Sequence, residues 1–193
     1  MQPLTGHAAH CKALHLPLFR LVCSGRIENE PIKAVIDGIM KAIVWTKYGP
    51  PDVLQLKEVE TPTPKDNEVL IRVYATTVTS GDCEQRGLKL PIWYALPMRA
   101  YGGLKRPERI TILGMAVAGD STSVGKDVKR LKEGDQLFGS SGLGFCAAEY
   151  ICLPEEPEEG ALAIKPANMT YEEAATVPVG GHEALGFLTQ GNI

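Results

Sequence analysis

The chain has 193 residues, of which 44% are hydrophobic and 22% are charged, and its formal net charge is −3. This composition excludes a wholly disordered or collagen-like protein, and the charge leaves no electrostatic footprint for nucleic acid or for an anionic membrane. No apolar run reaches the roughly 18–20 residues that a membrane-spanning helix needs. The 20 glycines and 14 prolines, set against 6% aromatic residues, favour turns and short strands over a helix bundle.

The first segment, residues 1–39, differs in composition from the rest. It holds three of the four histidines, and its first 27 residues contain no acidic residue. Organelle transit peptides are basic and acid-poor too, but they are also Ser-rich and amphipathic, which this segment is not. We therefore expect a poorly ordered extension over 1–39 and a folded domain over 40–193. The five cysteines show no C-x-x-C spacing, which favours reduced thiols in the cytoplasm over a disulfide or metal framework.

From Met40 onward, β-rich runs alternate with turns. The clearest strand is Glu68–Ala75, in which apolar residues occupy every second position. Short strands with Gly and Pro turns at this density predict a barrel or a sandwich. The predicted strands cover residues 41–46, 53–59, 68–75, 111–119, 136–139 and 149–153.

Helical patterns come late in the chain. Thr170 and Glu173 form a capping-box pattern, which predicts a helix that continues to Thr176 and stops before Pro178. Residues 180–190 are predicted to form a second helix. The acidic run at 155–160 is interpreted as a solvated surface turn.

Two glycine-containing patterns resemble functional motifs. The segment Gly142–Ala147 fits G-x-G-x-x-A, but a dinucleotide-binding loop must open a helix, and here a strand follows. We interpret it as a Gly-rich hairpin turn. His182 and Glu183 follow Gly181 as a pair of zinc-ligand types, but consecutive helical residues point about 100° apart and nothing nearby supplies further ligands. We interpret them as helix-surface residues.

A third pattern, Thr77–Arg86, directly follows the clearest strand. Hydroxyls, a carboxylate and an arginine gather where a strand gives way to a loop, a common place for binding groups. If the loop turns helical, Asp82 and Arg86 are spaced to pair. A binding site and a capped strand-to-helix turn with a structural ion pair both fit this pattern.

The motifs from Met40 onward occur in a characteristic order. They include Met40-Lys-Ala-Ile-Val44, Tyr48-Gly-Pro-Pro-Asp-Val-Leu54, Lys132-Glu-Gly-Asp-Gln-Leu-Phe-Gly139 and Tyr171-Glu-Glu-Ala-Ala175. With them the chain resembles the medium-chain dehydrogenase/reductase superfamily, in its zinc-free, quinone-oxidoreductase-like branch. The resemblance covers nearly all of residues 40–193.

The resemblance implies a mainly β fold, a GroES-like β-barrel with short helices near the C-terminal end. Such a barrel is the substrate-side half of a two-domain enzyme, in which a following Rossmann domain holds NADP or NAD. We expect that Rossmann domain to be absent from this chain. The implied reaction is hydride transfer between the nicotinamide and a small carbonyl, enone or quinone substrate, with a homodimer as the full-length form.

The resemblance also implies site residues. Zinc-dependent relatives have Gly-His-Glu where this sequence has Gly114-Met115-Ala116, so no metal is expected. Thr79 and Asp82 match the catalytic-side positions after the strand, although the Asp-x-x-x-Arg pattern is mainly structural in relatives. Glu183 stands where relatives present a threonine to the cofactor. The cofactor-contacting candidates are Thr79, Ser80, Val179, Gly180, Gly181 and Glu183.

An alternative is a non-catalytic fragment or binding module with the same fold. An in-frame glycine-rich strand–turn–helix encoded downstream of residue 193 would favour the enzyme, and a stop codon would favour the alternative.

Overall fold

The computed structural model describes residues 38–88, 91–109, 111–142, 144–158 and 160–191. The predicted extension at 1–39 therefore lies almost wholly outside the described residues. Strand β1 (Ile39–Trp45) begins one residue before the predicted boundary at Met40. The carbonyl of Gly38 already accepts a hydrogen bond from the amide of Thr61 at 3.0 Å.

A two-stranded antiparallel sheet opens the domain. Strand β1 pairs with β2 (Leu54–Glu60), from Ile39 opposite Glu60 to Trp45 opposite Leu54. A 3₁₀ turn at Pro51–Val53 leads into β2. Both strands were predicted within one or two residues.

A five-stranded antiparallel sheet forms the larger part of the domain, in the order β6-β3-β4-β5-β7. Two register irregularities in the pairing of β3 with β4, at Leu70/Ile71 and at Val73/Ala75, bend the ladder, and such irregularities curl a sheet. The result is a curled half-barrel, so the predicted mainly β fold class is confirmed. The strands are β3 (Glu68–Thr76), β4 (Ala116–Val124), β5 (Gln136–Ser140), β6 (Tyr150–Pro154) and β7 (Ala161–Ile164).

The connection between β5 and β6 corrects one prediction. These strands are not neighbours, so Gly142–Ala147 is not a hairpin turn. Instead, the amides of Phe145 and Ala147 donate to the carbonyls of Ile112 and Leu113, at 3.0 and 2.9 Å. The segment thus contacts the residues that precede β4. Strand β4 itself begins at Ala116, whereas the sequence predicted a strand from residue 111.

Three helices complete the described part of the chain: α1 (Ser80–Gly87), α2 (Ile92–Gly102) and α3 (Tyr171–Gln190). The predicted capping box at the start of α3 is confirmed, because Thr170 accepts from the Glu173 amide while the Glu173 carboxylate accepts from the Thr170 amide. The predicted break at Pro178 is wrong, and one 20-residue helix replaces two short ones. Pro178 is buried on the same face as Ala174, so packing offsets the lost amide.

The core lies inside the curl of the larger sheet and extends to β1 and α3. Small residues let α3 approach closely, since Ala174 and Ala175 pack on Ala75 and Ala118. A second cluster, which includes Met40, joins β1 to the larger sheet. The main cluster comprises Val69, Ile71, Val73, Val117, Leu137, Cys146, Ile151 and Leu153.

Candidate functional site

A cleft of about 50 Å³ opens where β3 gives way to α1. Aliphatic side chains from β1, β2 and the segment before β4 form one part of its wall, and the Thr77–Arg86 region forms the other. The lining residues are Ile43, Leu54, Thr76, Thr77, Val78, Asp82, Cys83, Arg86, Leu113, Gly114 and Ala147. The strand-to-loop position singled out from the sequence therefore borders a concave, largely apolar site.

Helix α1 begins with a capping box built by Thr79 and Asp82. The Asp82 amide donates to Thr79 Oγ1 at 3.3 Å, and the Thr79 amide donates to Asp82 Oδ2 at 2.8 Å. The Thr79 hydroxyl also donates its proton to Asp82 Oδ2 at 2.8 Å. The side chain of Thr79 is thus oriented by Asp82, and its donor is already used.

The Asp82 carboxylate also joins two walls of the cleft. It is only 3% exposed, and its Oδ1 accepts from the Gly114 amide at 2.9 Å. Gly114 has φ +95°, and an added Cβ there would lie 3.0 Å from the Ala147 amide nitrogen. Glycine at 114 is therefore required for this close approach, and Asp82 holds the segment before β4 against α1.

The predicted pairing of Asp82 with Arg86 is wrong. The Asp82 carboxylate oxygens accept hydrogen bonds from Thr79 and Gly114. Arg86 Nε is buried with no hydrogen-bond partner among the described residues. Of the two interpretations of Thr77–Arg86, the capped turn is confirmed without its ion pair, and the same turn forms a cleft wall.

The remaining predicted cofactor contacts lie on two helices. Ser80 is exposed in the first turn of α1. Gly180, Gly181 and Glu183 are exposed along α3, where Val179 is half-buried. Nothing lies within 4 Å of the position that a Cβ on Gly180 would occupy, so the space beside it is open. Of the predicted site residues, all of which fall in the described ranges, only Asp82 lines the cleft itself.

The amides of residues 144–147, in the glycine segment after β5, are all bonded within the protein. Gly144 donates to Ser141 Oγ at 3.1 Å, Cys146 donates to the Gly114 carbonyl at 3.1 Å, and the amides of Phe145 and Ala147 are bonded as described above. A phosphate cradle needs free N–H groups at a helix N-terminus, and β6 follows instead. Rejecting Gly142–Ala147 as a dinucleotide-binding loop agrees with this geometry.

Sequence reasoning missed most of the cleft wall. Ile43, Leu54 and Leu113 come from three separate places in the chain, and nothing in their local sequence marks them as site residues.

Across the described ranges, no group of three His, Cys, Asp or Glu side chains could hold a metal ion. Nor is any helix of those ranges long and apolar enough to cross a membrane.

Comparison with known proteins gives a consistent set of relatives. The alcohol dehydrogenase GroES-like domain family matches residues 65–179. The chain is 33% identical over 165 residues to a 2-methylene-furan-3-one reductase of Solanum lycopersicum, covering 77% of this chain and 38% of that protein. It is also 33% identical over 162 residues to a chloroplastic NADPH-dependent alkenal/one oxidoreductase of Arabidopsis thaliana, covering 78% of this chain and 37% of that protein.

The solved structures agree with these matches. The quinone oxidoreductase from Coxiella burnetii superposes with a TM-score of 0.67 at 28% identity, covering 80% of this chain and 46% of that one. The chain thus spans less than half the length of the relatives named here.

Proposed function

Because the chain belongs to the alcohol dehydrogenase GroES-like domain family of the medium-chain dehydrogenase/reductase superfamily, we propose that it forms the substrate-side part of an NADPH-dependent oxidoreductase. The substrates are small quinones, enones or other carbonyl compounds. The observation that carries the proposal is the apolar cleft beside the Thr79–Asp82 turn. An apolar pocket with a few fixed polar groups suits a flat, weakly polar carbonyl compound.

Three residues of the turn have different roles in this proposal. Ser80 presents an exposed hydroxyl in the first turn of α1 and is free to donate to a substrate or nicotinamide oxygen. Thr79 offers an oriented hydroxyl oxygen, since its proton is held by Asp82. Asp82 is a positioning residue rather than a group that touches the substrate, because both of its oxygens are bonded within the protein.

This chain offers contacts to one end of a nicotinamide cofactor, the nicotinamide ring. Thr79 and Ser80 at the start of α1, with Val179, Gly180, Gly181 and Glu183 on α3, would contact the nicotinamide end, and the space at Gly180 is open. Glu183 is a carboxylate and therefore not the donor that relatives place there. When bound, the cofactor supplies the hydride, while the aliphatic cleft wall excludes water.

Binding of the cofactor's phosphates is assigned to the part of the relatives that lies beyond this match. The amides of residues 144–147 are internally bonded and cannot cradle a diphosphate. The proposal needs no zinc, and zinc independence stays a prediction.

NADPH titration tests the proposal. The full chain is expected to show no saturable binding below the millimolar range, because a few nicotinamide contacts do not offset the several kcal/mol needed to immobilise a large flexible cofactor. Fusing the chain to the dinucleotide-binding segment of a quinone oxidoreductase relative is expected to restore NADPH binding and to give quinone reduction.

Variants of the fusion separate chemistry from folding. Ser80→Ala is expected to lower kcat/KM by about tenfold or more, while Thr63→Val, which changes an exposed hydroxyl elsewhere, leaves it unchanged. Micromolar NADPH affinity of the chain alone would place the cofactor site within it. A fusion that binds NADPH but reduces neither quinones nor enones would contradict the oxidoreductase assignment.

A further inference from the structure

The segment around α2 has a charge balance unlike that of the rest of the chain. Residues 86–109 contain one acidic residue, Glu108, against six basic residues, while the whole chain carries −3. The negative net charge of the whole chain gives no reason to expect a membrane partner. It hides this local surplus of positive charge, because it sums over all residues. The basic residues are Arg86, Lys89, Arg99, Lys105, Arg106 and Arg109.

The outward face of α2 is apolar. Ile92 is 76% exposed, Trp93 is 73% exposed and Leu96 is 59% exposed. At about 100° per residue these three side chains fall within one arc of about 100° around the helix, and the less exposed Ala95 and Gly102 lie outside that arc. A surface helix of a soluble domain normally turns its polar face outward, so exposed large apolar side chains on this scale indicate an interaction surface.

The fold holds this face in place. The Tyr48 hydroxyl donates to the Gly103 carbonyl at 2.8 Å, directly after the last turn of α2. The Arg99 guanidinium carbon lies 5.2 Å from the centroid of the Tyr48 ring. Tyr48 in turn packs edge-on against Trp45, which is only 2% exposed. The helix is therefore anchored at its C-terminal end with its apolar face turned to solvent.

Helix α3 provides an internal comparison. It also exposes large apolar side chains, with Leu185 at 63% and Phe187 at 75%. However, residues 171–193 contain no Lys or Arg and three glutamates. Apolar exposure combined with a positive surplus is a property of α2 and the turn after it.

We propose that the α2 face, comprising Ile92, Trp93, Leu96 and Leu104 with Lys105 and Arg106, docks on the surface of an anionic lipid bilayer. Leu104 is 69% exposed and continues the apolar face past the helix end. Interfacial segments place Trp and aliphatic side chains at the boundary of headgroups and acyl chains, and their Lys and Arg side chains bind anionic headgroups. Each basic residue near such a surface contributes about 1 kcal/mol. The proposal is independent of the cofactor and the substrate.

The test is co-sedimentation of the full chain with lipid vesicles. Binding is expected to vesicles that contain phosphatidylserine and not to vesicles of phosphatidylcholine alone, and it should weaken as salt is raised. The two tryptophans supply a second readout, because Trp93 is exposed and Trp45 is buried. A blue shift of the fluorescence on vesicle addition therefore reports Trp93.

Paired variants identify the surface. Ile92→Gln with Leu96→Gln, and separately Lys105→Gln with Arg106→Gln, are each expected to weaken vesicle binding about tenfold or more. Leu185→Gln with Phe187→Gln is the apolar control, and Lys126→Gln with Lys129→Gln is the charge control. Both controls are expected to bind as the parent chain does, with unchanged near-UV circular dichroism in every variant.

Three results would overturn the proposal: no binding to either kind of vesicle, equal binding to both, or equal loss in the control variants. A concentration-dependent dimer that Ile92→Gln with Leu96→Gln abolishes, without vesicle binding, would assign the α2 face to a second copy of the chain instead.

Discussion

Asp82 makes the most consequential contacts of any single residue at the site. Its two carboxylate oxygens accept from the Thr79 amide, the Thr79 hydroxyl and the Gly114 amide. One buried side chain thereby fixes the turn into α1 and the opposite wall of the cleft. If Asp82 is replaced, the buried N–H and O–H groups that it accepts from stay removed from water but lose their hydrogen-bond partner. This costs free energy, so Asp82 is hard to replace.

Replacing Asp82 is expected to destabilise the domain. Asp82→Ala leaves three donors without their acceptor, and the free energy of unfolding should fall by about 2–4 kcal/mol. Asp82→Asn keeps one acceptor oxygen and should cost less. Urea unfolding followed by circular dichroism measures both, with Asp127→Ala, at an exposed carboxylate, as the control. A change below about 0.5 kcal/mol in Asp82→Ala would contradict the bridging role.

Glu155 is a second residue whose carboxylate accepts hydrogen bonds from several backbone amides. The acidic run was interpreted as a solvated turn, but the Glu155 side chain is only 12% exposed, against 78% for Glu156. Its oxygens accept from the amides of Lys129 and Leu131, at 3.2 and 3.0 Å, and from that of Arg130. Partial desolvation raises the pKa of Glu155, but these amides outweigh it, so the pKa lies below the ordinary 4.5.

The lowered pKa of Glu155 gives a pH-dependent prediction. Its contribution to stability is fully present above the ordinary value of 4.5 and is lost as the pH falls through the lower folded-state pKa. Glu155→Gln should therefore be less stable than the parent chain at neutral pH, and the difference should shrink in acid. Denaturation midpoints at several pH values measure this, with Glu156→Gln as the neighbouring control. A deficit that is constant with pH would show that the charge is not involved.

At the scale of the element, α3 is held by a seam of small residues. Ala174 and Ala175 are 0% and 1% exposed and meet Ala75 and Ala118 of the larger sheet. The Tyr171 hydroxyl donates to Asp120 and accepts from Gln136 Nε2 at 2.7 Å, which fixes the start of the helix. The second half of α3 is exposed, so its first turns determine how it docks.

Enlarging the seam is expected to undock α3. Ala175→Leu adds volume where the helix and sheet already touch, and should reduce the free energy of unfolding by about 1–3 kcal/mol. Ala184→Leu makes the same change at an exposed position of the same helix and should be nearly neutral. Urea denaturation compares the two. Equal effects would show that close packing at Ala175 does not hold the helix.

At the scale of the whole molecule, the two sheets act as one folded unit. The segment after β5 reaches the first sheet, where the Ile43 amide donates to the Ala147 carbonyl at 2.9 Å and Ala42 bridges to Ala148. Strand β1 therefore supplies Ile43 to the cleft and also closes one side of the core.

Removal of residues 1–37 is expected to leave this unit intact. The composition of the chain changes near Met40, and β1 pairs with β2 from Ile39 onward while the Gly38 carbonyl accepts from the Thr61 amide. The thermal midpoint of the truncated chain should lie within about 5 °C of the full chain, which corresponds to roughly 1 kcal/mol for a domain of this size. A longer deletion that also removes Gly38–Trp45 and hence β1 should prevent folding, and serves as the opposing control. A larger drop on removing 1–37 alone would show that the extension packs on the domain.

Features that depend on a few consecutive residues could be predicted from the amino-acid sequence. Alternating apolar positions placed β3 correctly, and the Thr170–Glu173 spacing placed the start of α3, because strand faces and capping bonds depend on neighbours within about four positions. The ordered motifs from Met40 onward were sufficient to indicate the family and hence the barrel.

Features that depend on contacts between distant residues could not be predicted in this way and became visible in the folded chain. In the structure β6 lies beside β3, and α3 continues through Pro178. Asp82 accepts from the Gly114 amide instead of pairing with Arg86. Ile43, Leu54 and Leu113, from three separate segments, line one cleft. Each of these outcomes is settled by burial and hydrogen-bond satisfaction summed over contacts between separate segments. Those free energies exceed local preferences, and no local pattern in the chain records them.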